Sequence, residues 1–303
     1  MSRKIKSHIA LTLVAIFYGL NYLIAKDVMP NYIGAFGFIV VRIIGASILF
    51  WALGFFVKEK VAKEDFPRLV LSALFGVGIN MMMFFKGLSY TTPINASIIM
   101  VSNPIIVLVI AAIILKEKIT KRKLVGIVIG AVGAISLIAY GKEVSLSGEN
   151  VKLGNLMILI NAASYALYLV IVKPLMQKYH PITISKWVFF FGFFIVIPFG
   201  YTEFIEISWK TMPLEMLLRV AYVIMFTSFF AYLLNIYALK TINASTVSFY
   251  IYLQPLIATG ASIYLGKETL MLHEILSAAT IFFGVYLVNT KSKTASTIKN
   301  ISN

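Results

Sequence analysis

Runs of mostly apolar residues follow one another along the whole chain: 9–25, 35–57, 69–88, 94–115, 123–140, 153–172, 183–201, 215–238, 245–265 and 273–289. The polar joints between them are short. A helix rises about 1.5 Å per residue, so roughly 20 apolar residues cross the ~30 Å hydrocarbon layer of a bilayer. The pattern therefore predicts an all-α integral membrane protein with ten transmembrane helices and no sizeable soluble domain. The basic, apolar start "MSRKIKSHIALTLVAIFYGL" reads as a retained first span, since its apolar stretch is long and no A-x-A-like cleavage site follows.

Two of the runs repeat an unusual pattern. "SNPIIVLVIAAIILKEK" (102–118) and "LQPLIATGASIYLGKE" (253–268) each place an amide and a proline ahead of an apolar stretch that stops at Lys and Glu. Sliding the chain by 151 residues sets Gly87 on Ala238, Ser97 on Ser248, Pro104 on Pro255, Lys116 on Lys267, Glu117 on Glu268 and Gly133 on Gly284, with no gap from 86 to 133. A shift of 147 sets "YGLNYLIAK" (18–26) on "YALYLVIVK" (165–173), pairing Tyr18 with Tyr165 and Lys26 with Lys173. The chain thus reads as two five-helix units, 1–145 and 146–303, joined by the polar "YGKEVSLSGENVKLG" (140–154). Five is odd, so the second unit enters the membrane from the opposite side and the repeat is inverted, the usual architecture of secondary transporters.

Pro104 and Pro255 are expected about mid-span, where each removes a backbone donor and kinks its helix. In lipid such a defect must face protein or a wet cavity. The kinks either pack against neighbours or frame a pathway and flex during gating.

Composition agrees with a membrane chain: 60% of residues are hydrophobic and 13% charged, against about 45–50% and 25% in soluble domains. The net charge of +15 is explained by its distribution. With ten spans, 19 basic residues fall in the termini and same-side loops and seven on the other side, while Arg42 lies inside a span. The positive-inside rule puts both termini in the cytoplasm and removes the need for a nucleic-acid partner. Cysteine is absent, which excludes disulfides, thiol catalysis and Cys-ligated metal.

The order of these motifs resembles the EamA family of the drug/metabolite transporter superfamily. The resemblance rests on "YGLNYLIAK", Arg42, "GLSYTTPINASIIMVSNPIIVLVIAAIILKEK" and "ALKTINASTVSFYIYLQPLIATGASIYLGKE", and covers nearly the whole chain. It implies a ten-helix fold in the cell (inner) membrane and a central cavity lined mainly by helices one, three, four, six, eight and nine. It also implies export or exchange of small metabolites such as amino acids or related compounds. Tyr18 stands where relatives commonly carry Trp.

The search for chemistry inside the spans returns few charges. All twelve acids fall at span ends or in loops, so a mid-depth carboxylate proton carrier is missing, and facilitated diffusion or exchange is expected. Arg42 is the exception, about 10 Å into the second span. It remains protonated and serves as an anion contact, a gate or a structural clamp. Lys26 and Lys173 read as interfacial anchors, and Glu117 and Glu268 as partners of adjacent lysines.

The expected substrate-binding set is uncharged: Tyr18, Asn21, Asn80, Ser97, Asn103, Asn161, Tyr165, Asn235, Ser248, Tyr252 and Gln254. Each alone could simply bridge helices; together, on repeat-related helices, they favour a polar or zwitterionic solute. Pro104, Pro255 and Arg42 are the candidate gating or structural-kink positions. "NMMMFFKG" (80–87) would add a deformable wall. "GIVIG" (126–130) permits close helix approach, either between two copies in a homodimer or inside one chain.

No enzyme is expected, because His8, His180 and His273 lie at span edges and no helical H-E-x-x-H is present. No cofactor or metal is expected, and the partners are a small-molecule solute and the lipid bilayer. The alternative to a transporter is a channel or a non-transporting membrane protein.

Overall fold

The computed structural model describes residues 3–29, 31–91, 96, 99–139, 149–264 and 272–289. Among these residues every regular element is helical. The helical segments are α1 (Arg3–Val28), α2 (Ala35–Gly54), α3 (Phe66–Ala73, continuing through Leu74–Gly78 and Ile79–Tyr90), α4 (Asn103–Ile114) and α5 (Lys121–Ala139). They continue as α6 (Glu149–Val172), α7 (Pro181–Ile205), α8 (Leu214–Tyr222, Val223–Phe230, Ala231–Leu239), α9 (Ala244–Phe249, Tyr250–Tyr252, Leu253–Tyr264) and α10 (Leu272–Asn289). Within the described residues five stretches are long and apolar enough to cross a membrane: Ala35–Gly54, Lys63–Tyr90, Asn150–Lys178, Pro181–Ile205 and Leu214–Leu239.

The helices pair in a pattern that survives exchanging the halves. The most extensive contacts are α5 with α10 and α2 with α7; around the centre α3 packs on α6 and α1 on α8, while α1 meets α9 and α4 meets α6. Within both of the most extensive pairs, α2 with α7 and α5 with α10, the two helices run antiparallel. In the α2–α7 pair Phe50 packs on Phe189 and Gly37 lies against the backbone of Glu203.

Each end of this pair is closed by a carboxylate from the partner. Glu203 accepts from the N–H groups of Phe36 and Gly37 (2.7 and 2.9 Å) at the start of α2. Glu59, just past α2, accepts from His180 N (2.8 Å) at the start of α7. Anions on the free donors of a helix N-terminus complete its hydrogen bonding and meet the positive end of its dipole.

In the α5–α10 pair the glycine pattern is spent inside the chain. A Cβ on Gly284 would stand 2.7 Å from the Gly126 carbonyl and 2.8 Å from the Gly130 nitrogen, so only glycine permits this approach. Of the two readings of "GIVIG", the geometry uses the intramolecular one.

The central helices are irregular at matched places. α3 contains a π-helical stretch at Leu74–Gly78 and α8 one at Val223–Phe230; a shift of 151 carries the first into the second. Such stretches leave carbonyls poorly served by their own helix. Side chains from the other half take them up: Tyr232 donates to Gly76 O (2.6 Å), and Ser164 to Phe75 O (2.7 Å).

One of the two prolines corrects an expectation. Instead of kinking a continuous helix, Pro104 sits in the first turn of α4, after a turn at 101–102, where its missing N–H costs nothing. Pro255 lies inside the continuous helical path of α9, directly after its 3-10 stretch at Tyr250–Tyr252. The two breaks meet: Tyr252 donates its hydroxyl to the carbonyl of Val101, its equivalent at a shift of 151 (3.1 Å).

Candidate functional site

The irregular central helices surround a partly open cavity that combines apolar and polar side chains, as small-molecule sites do. From α1 it is lined by Leu11, Val14, Ala15, Tyr18 and Asn21, and from α2 by Arg42. α3 contributes Asn80, Met81, Phe84 and Phe85, with Met100 beside them ahead of α4. α6 adds Asn161 and Tyr165, α8 adds Tyr232 and Asn235, and α9 adds Val247, Tyr250, Ile251 and Gln254.

Equivalent positions of the two halves recur on this wall. A shift of 147 pairs Val14 with Asn161 and Tyr18 with Tyr165; a shift of 151 pairs Met81 with Tyr232, Phe84 with Asn235 and Met100 with Ile251. The cavity therefore lies where the halves face each other.

Of the expected substrate contacts, Tyr18, Asn21, Asn80, Asn161, Tyr165, Asn235 and Gln254 are gathered around this space. Three others lie away from it. Asn103, fully buried, donates its amide to Ala162 O (2.7 Å). Ser248 donates to Ser245 O within its own helix (3.2 Å), and Tyr252 serves Val101 O. Each was expected as a solute contact, and each is turned to a buried backbone carbonyl because such an acceptor is costly to leave unpaired. Ser97 and Glu268 lie outside the described residues, as does the side chain of Lys26.

Two amides hold α3 against α6 while leaving acceptors free. Asn161 Nδ2 donates to Asn80 O (2.7 Å), and Asn80 Nδ2 reaches back to Asn161 O (3.5 Å). The Oδ1 atoms of Asn161 and Asn21 are buried without a protein partner. Tyr232 was not foreseen. Its equivalence to Met81, inside the methionine-rich stretch, was the signal that could have found it. The wall expected from "NMMMFFKG" is present as Met81, Phe84 and Phe85.

Arg42 is the one charged side chain among the described lining residues, and is 4% exposed. Its Nε donates to Ser228 Oγ (3.0 Å), its Nη2 reaches Thr227 Oγ1 (3.4 Å), and its guanidinium carbon lies 4.8 Å from the centre of the Phe85 ring. Both hydroxyls belong to the π-helical stretch of α8 and donate in turn to Val223 O (3.1 and 2.7 Å).

A second polar group closes one end of the bundle. Glu117 accepts from Ala244 N (3.0 Å) and from Ser245 Oγ (2.6 Å), so it caps the start of α9. Lys123 stands 3.5 Å and Lys173 4.0 Å from the same carboxylate. Lys173 also donates to Ile242 O (2.9 Å). Lys173, expected as an interfacial anchor, is a tie between the end of α6 and the α8–α9 joint.

The comparisons with known proteins agree with this architecture. The model of the EamA-like transporter family matches residues 5–139 and again 152–290. A Bacillus subtilis (strain 168) protein, uncharacterized transporter YyaM, is 26% identical over 275 residues, 89% of each chain. An uncharacterized transporter of Archaeoglobus fulgidus is 26% identical over 286 residues, 94% of this chain and 99% of its own. A solved crystal structure superposes with a TM-score of 0.78 at 15% identity, covering 98% of this chain and all of the other, a likeness of fold alone. The apolar helices and these relatives make this a multi-pass membrane protein. Matched by that model over most of its length, the chain belongs to the EamA-like transporter family.

Proposed function

We propose that the protein is a secondary transporter that exports or exchanges small organic metabolites such as amino acids or related compounds. It sits in the cell membrane with ten spans and both termini in the cytoplasm. Its halves, 1–145 and 146–303, act as inverted repeats around the cavity. The observation that carries this reading is the placement of repeat-equivalent side chains on one cavity wall, Tyr18 with Tyr165 and Met81 with Tyr232 among them. Further support comes from the antiparallel packing of α2 on α7 and from the two matches to one family model. Two similar halves of opposite orientation can exchange conformations and so open one site alternately to each face.

Counterflow into liposomes containing the purified protein tests the proposal. Vesicles preloaded with an unlabelled amino-acid mixture should accumulate labelled members of the mixture faster than protein-free vesicles. Equal rates across amino acids, amines and neutral metabolites, each at the protein-free level, would remove the transport reading.

A further inference from the structure

We infer that Glu117 is a releasable latch: seated on the start of α9 it shuts its end of the bundle, and when that end opens it returns the capping of α9 to Asn243. The inference rests on the transport reading, in which each end opens in turn, and on the topology proposed above this end is the cytoplasmic one.

The contacts form a layer just outside the cavity. Val247 and Tyr250 of α9 line the cavity, and Ala244 and Ser245, within one turn of Val247, are the groups that Glu117 holds. Lys123 meets both that carboxylate and Ser245 Oγ, and Lys173 stands on the carboxylate while donating to Ile242 O. On α1, Ser7 Oγ bonds Thr241 Oγ1 (2.6 Å) and His8 Nδ1 meets the Tyr250 hydroxyl (2.7 Å), about one turn before Leu11 of the cavity wall. Glu117 and Lys123 belong to the first half, Lys173 and Ser245 to the second. The cluster thus spans the seam between them.

Its chemistry suits repeated opening. The side chains of Glu117 and Lys123 are only 7% and 9% exposed. Parting an apolar seal would put apolar surface into water with nothing gained in return. Ions released from a buried cluster recover their hydration, so its shut and open forms lie close in free energy.

The helix start is equipped for both forms. Asn243 occupies the N-cap position of α9 with extended backbone angles (φ −71°, ψ 148°), yet its side chain makes no capping hydrogen bond. Asparagine is among the strongest N-caps. Here the N–H of Ala244 is taken by a carboxylate from the other half, while the local cap stands idle and exposed. Once Glu117 leaves, the Asn243 amide oxygen accepts from the first turn and α9 keeps its start.

The chain has no cysteine, so nitroxides attached at Lys121→Cys and Lys240→Cys label no other site. Both positions are exposed, one at the start of α5 and one at the end of α8. Double electron–electron resonance in lipid nanodiscs then reads the width of this end. Glu117→Gln leaves Lys123 and Lys173 uncompensated only while the end is shut, so the ratio of long to short distances should rise by about tenfold or more. Adding Asn243→Ala should move that ratio back by about fivefold, the ordinary weight of a lost N-cap, since only the open form uses it.

A static tie predicts lower melting of Glu117→Gln with an unchanged distance, and that result overturns the latch. An added Asn243→Ala that leaves the ratio where it was overturns the return of the cap. Counterflow on the same proteins without labels separates the two readings. Solute movement with an unchanged distance overturns the latch alone, whereas a widened end with no movement supports the latch and removes the transport reading. Should Glu117→Gln fail to fold, Lys173→Met takes its place with the same expected sign, its side chain being less buried at 19% exposed.

Discussion

Among the described residues Lys116 is the non-glycine residue with a positive φ, 53°, a conformation that costs an L-residue about 1–2 kcal/mol. It ends α4 in a Schellman-like turn, with Glu117 N reaching back to Ala111 O (3.2 Å). This turn aims Glu117 at the start of α9 and at Lys123 and Lys173. The abrupt stop at Lys-Glu-Lys is thus a device for placing one carboxylate. Two substitutions separate the turn from the carboxylate. Lys116→Gly should melt no lower than wild type in detergent, since glycine accepts this φ freely. Glu117→Gln should melt clearly lower, because removing one member of a buried ionic cluster costs about 3 kcal/mol. If Glu117→Gln melts with wild type, the cluster is not a structural tie. The sequence located these residues but not their partners: Glu117 was paired with its neighbours, whereas the turn carries it to Lys123 and Lys173. Asn103 and Tyr252 escaped correct reading for a related reason. They serve carbonyls of Ala162 and Val101, and which carbonyls a broken helix leaves open is a property of the assembled backbone.

At the scale of elements, helix positions were legible because apolar run length fixes them, while departures from α-helical winding were not. The π-helical stretches at Leu74–Gly78 and Val223–Phe230 lie inside mostly apolar runs, and an apolar pattern suits either winding. Glycine spacing was legible as a close-approach motif, but its partner was not, since a motif on one helix says nothing about the opposite surface. The partner is α10. Gly284→Val should sharply reduce folded yield, because its Cβ would stand 2.7 Å from Gly126 O and 2.8 Å from Gly130 N, both backbone atoms that cannot step aside. Gly260 supplies the control: it is helical and exposed, with nothing within 4 Å of an added Cβ. Gly260→Ala should keep or raise stability, by up to about 1 kcal/mol from helix propensity. Size-exclusion yield and detergent melting of the two variants check the contrast, and equal behaviour would mean that the α5–α10 contact tolerates separation.

For the whole molecule, the duplication was visible as coincidences of Pro, Glu and Lys at fixed shifts, and the proposed energetics of transport follow from what those halves enclose. Driving a solute with protons requires a group in the pathway that gains and loses a proton near neutral pH as the cavity switches sides. The described cavity wall offers Arg42, four phenols, five side-chain amides and apolar groups. A guanidinium stays protonated at any working pH, phenols have ordinary values near 10, and amides do not titrate. Glu117 with Lys123 and Lys173 lie at the end of the bundle and are engaged with one another, and His8, which meets the Tyr250 hydroxyl at 2.7 Å, is not among the described lining residues. Counterflow should therefore follow the solute gradient alone and keep its rate when a protonophore collapses the pH difference across the liposome. A rate that falls with the pH gradient would place a proton carrier in the pathway. Arg42→Gln distinguishes the two cases further, since in the uncoupled scheme it changes solute affinity without introducing any dependence on that gradient.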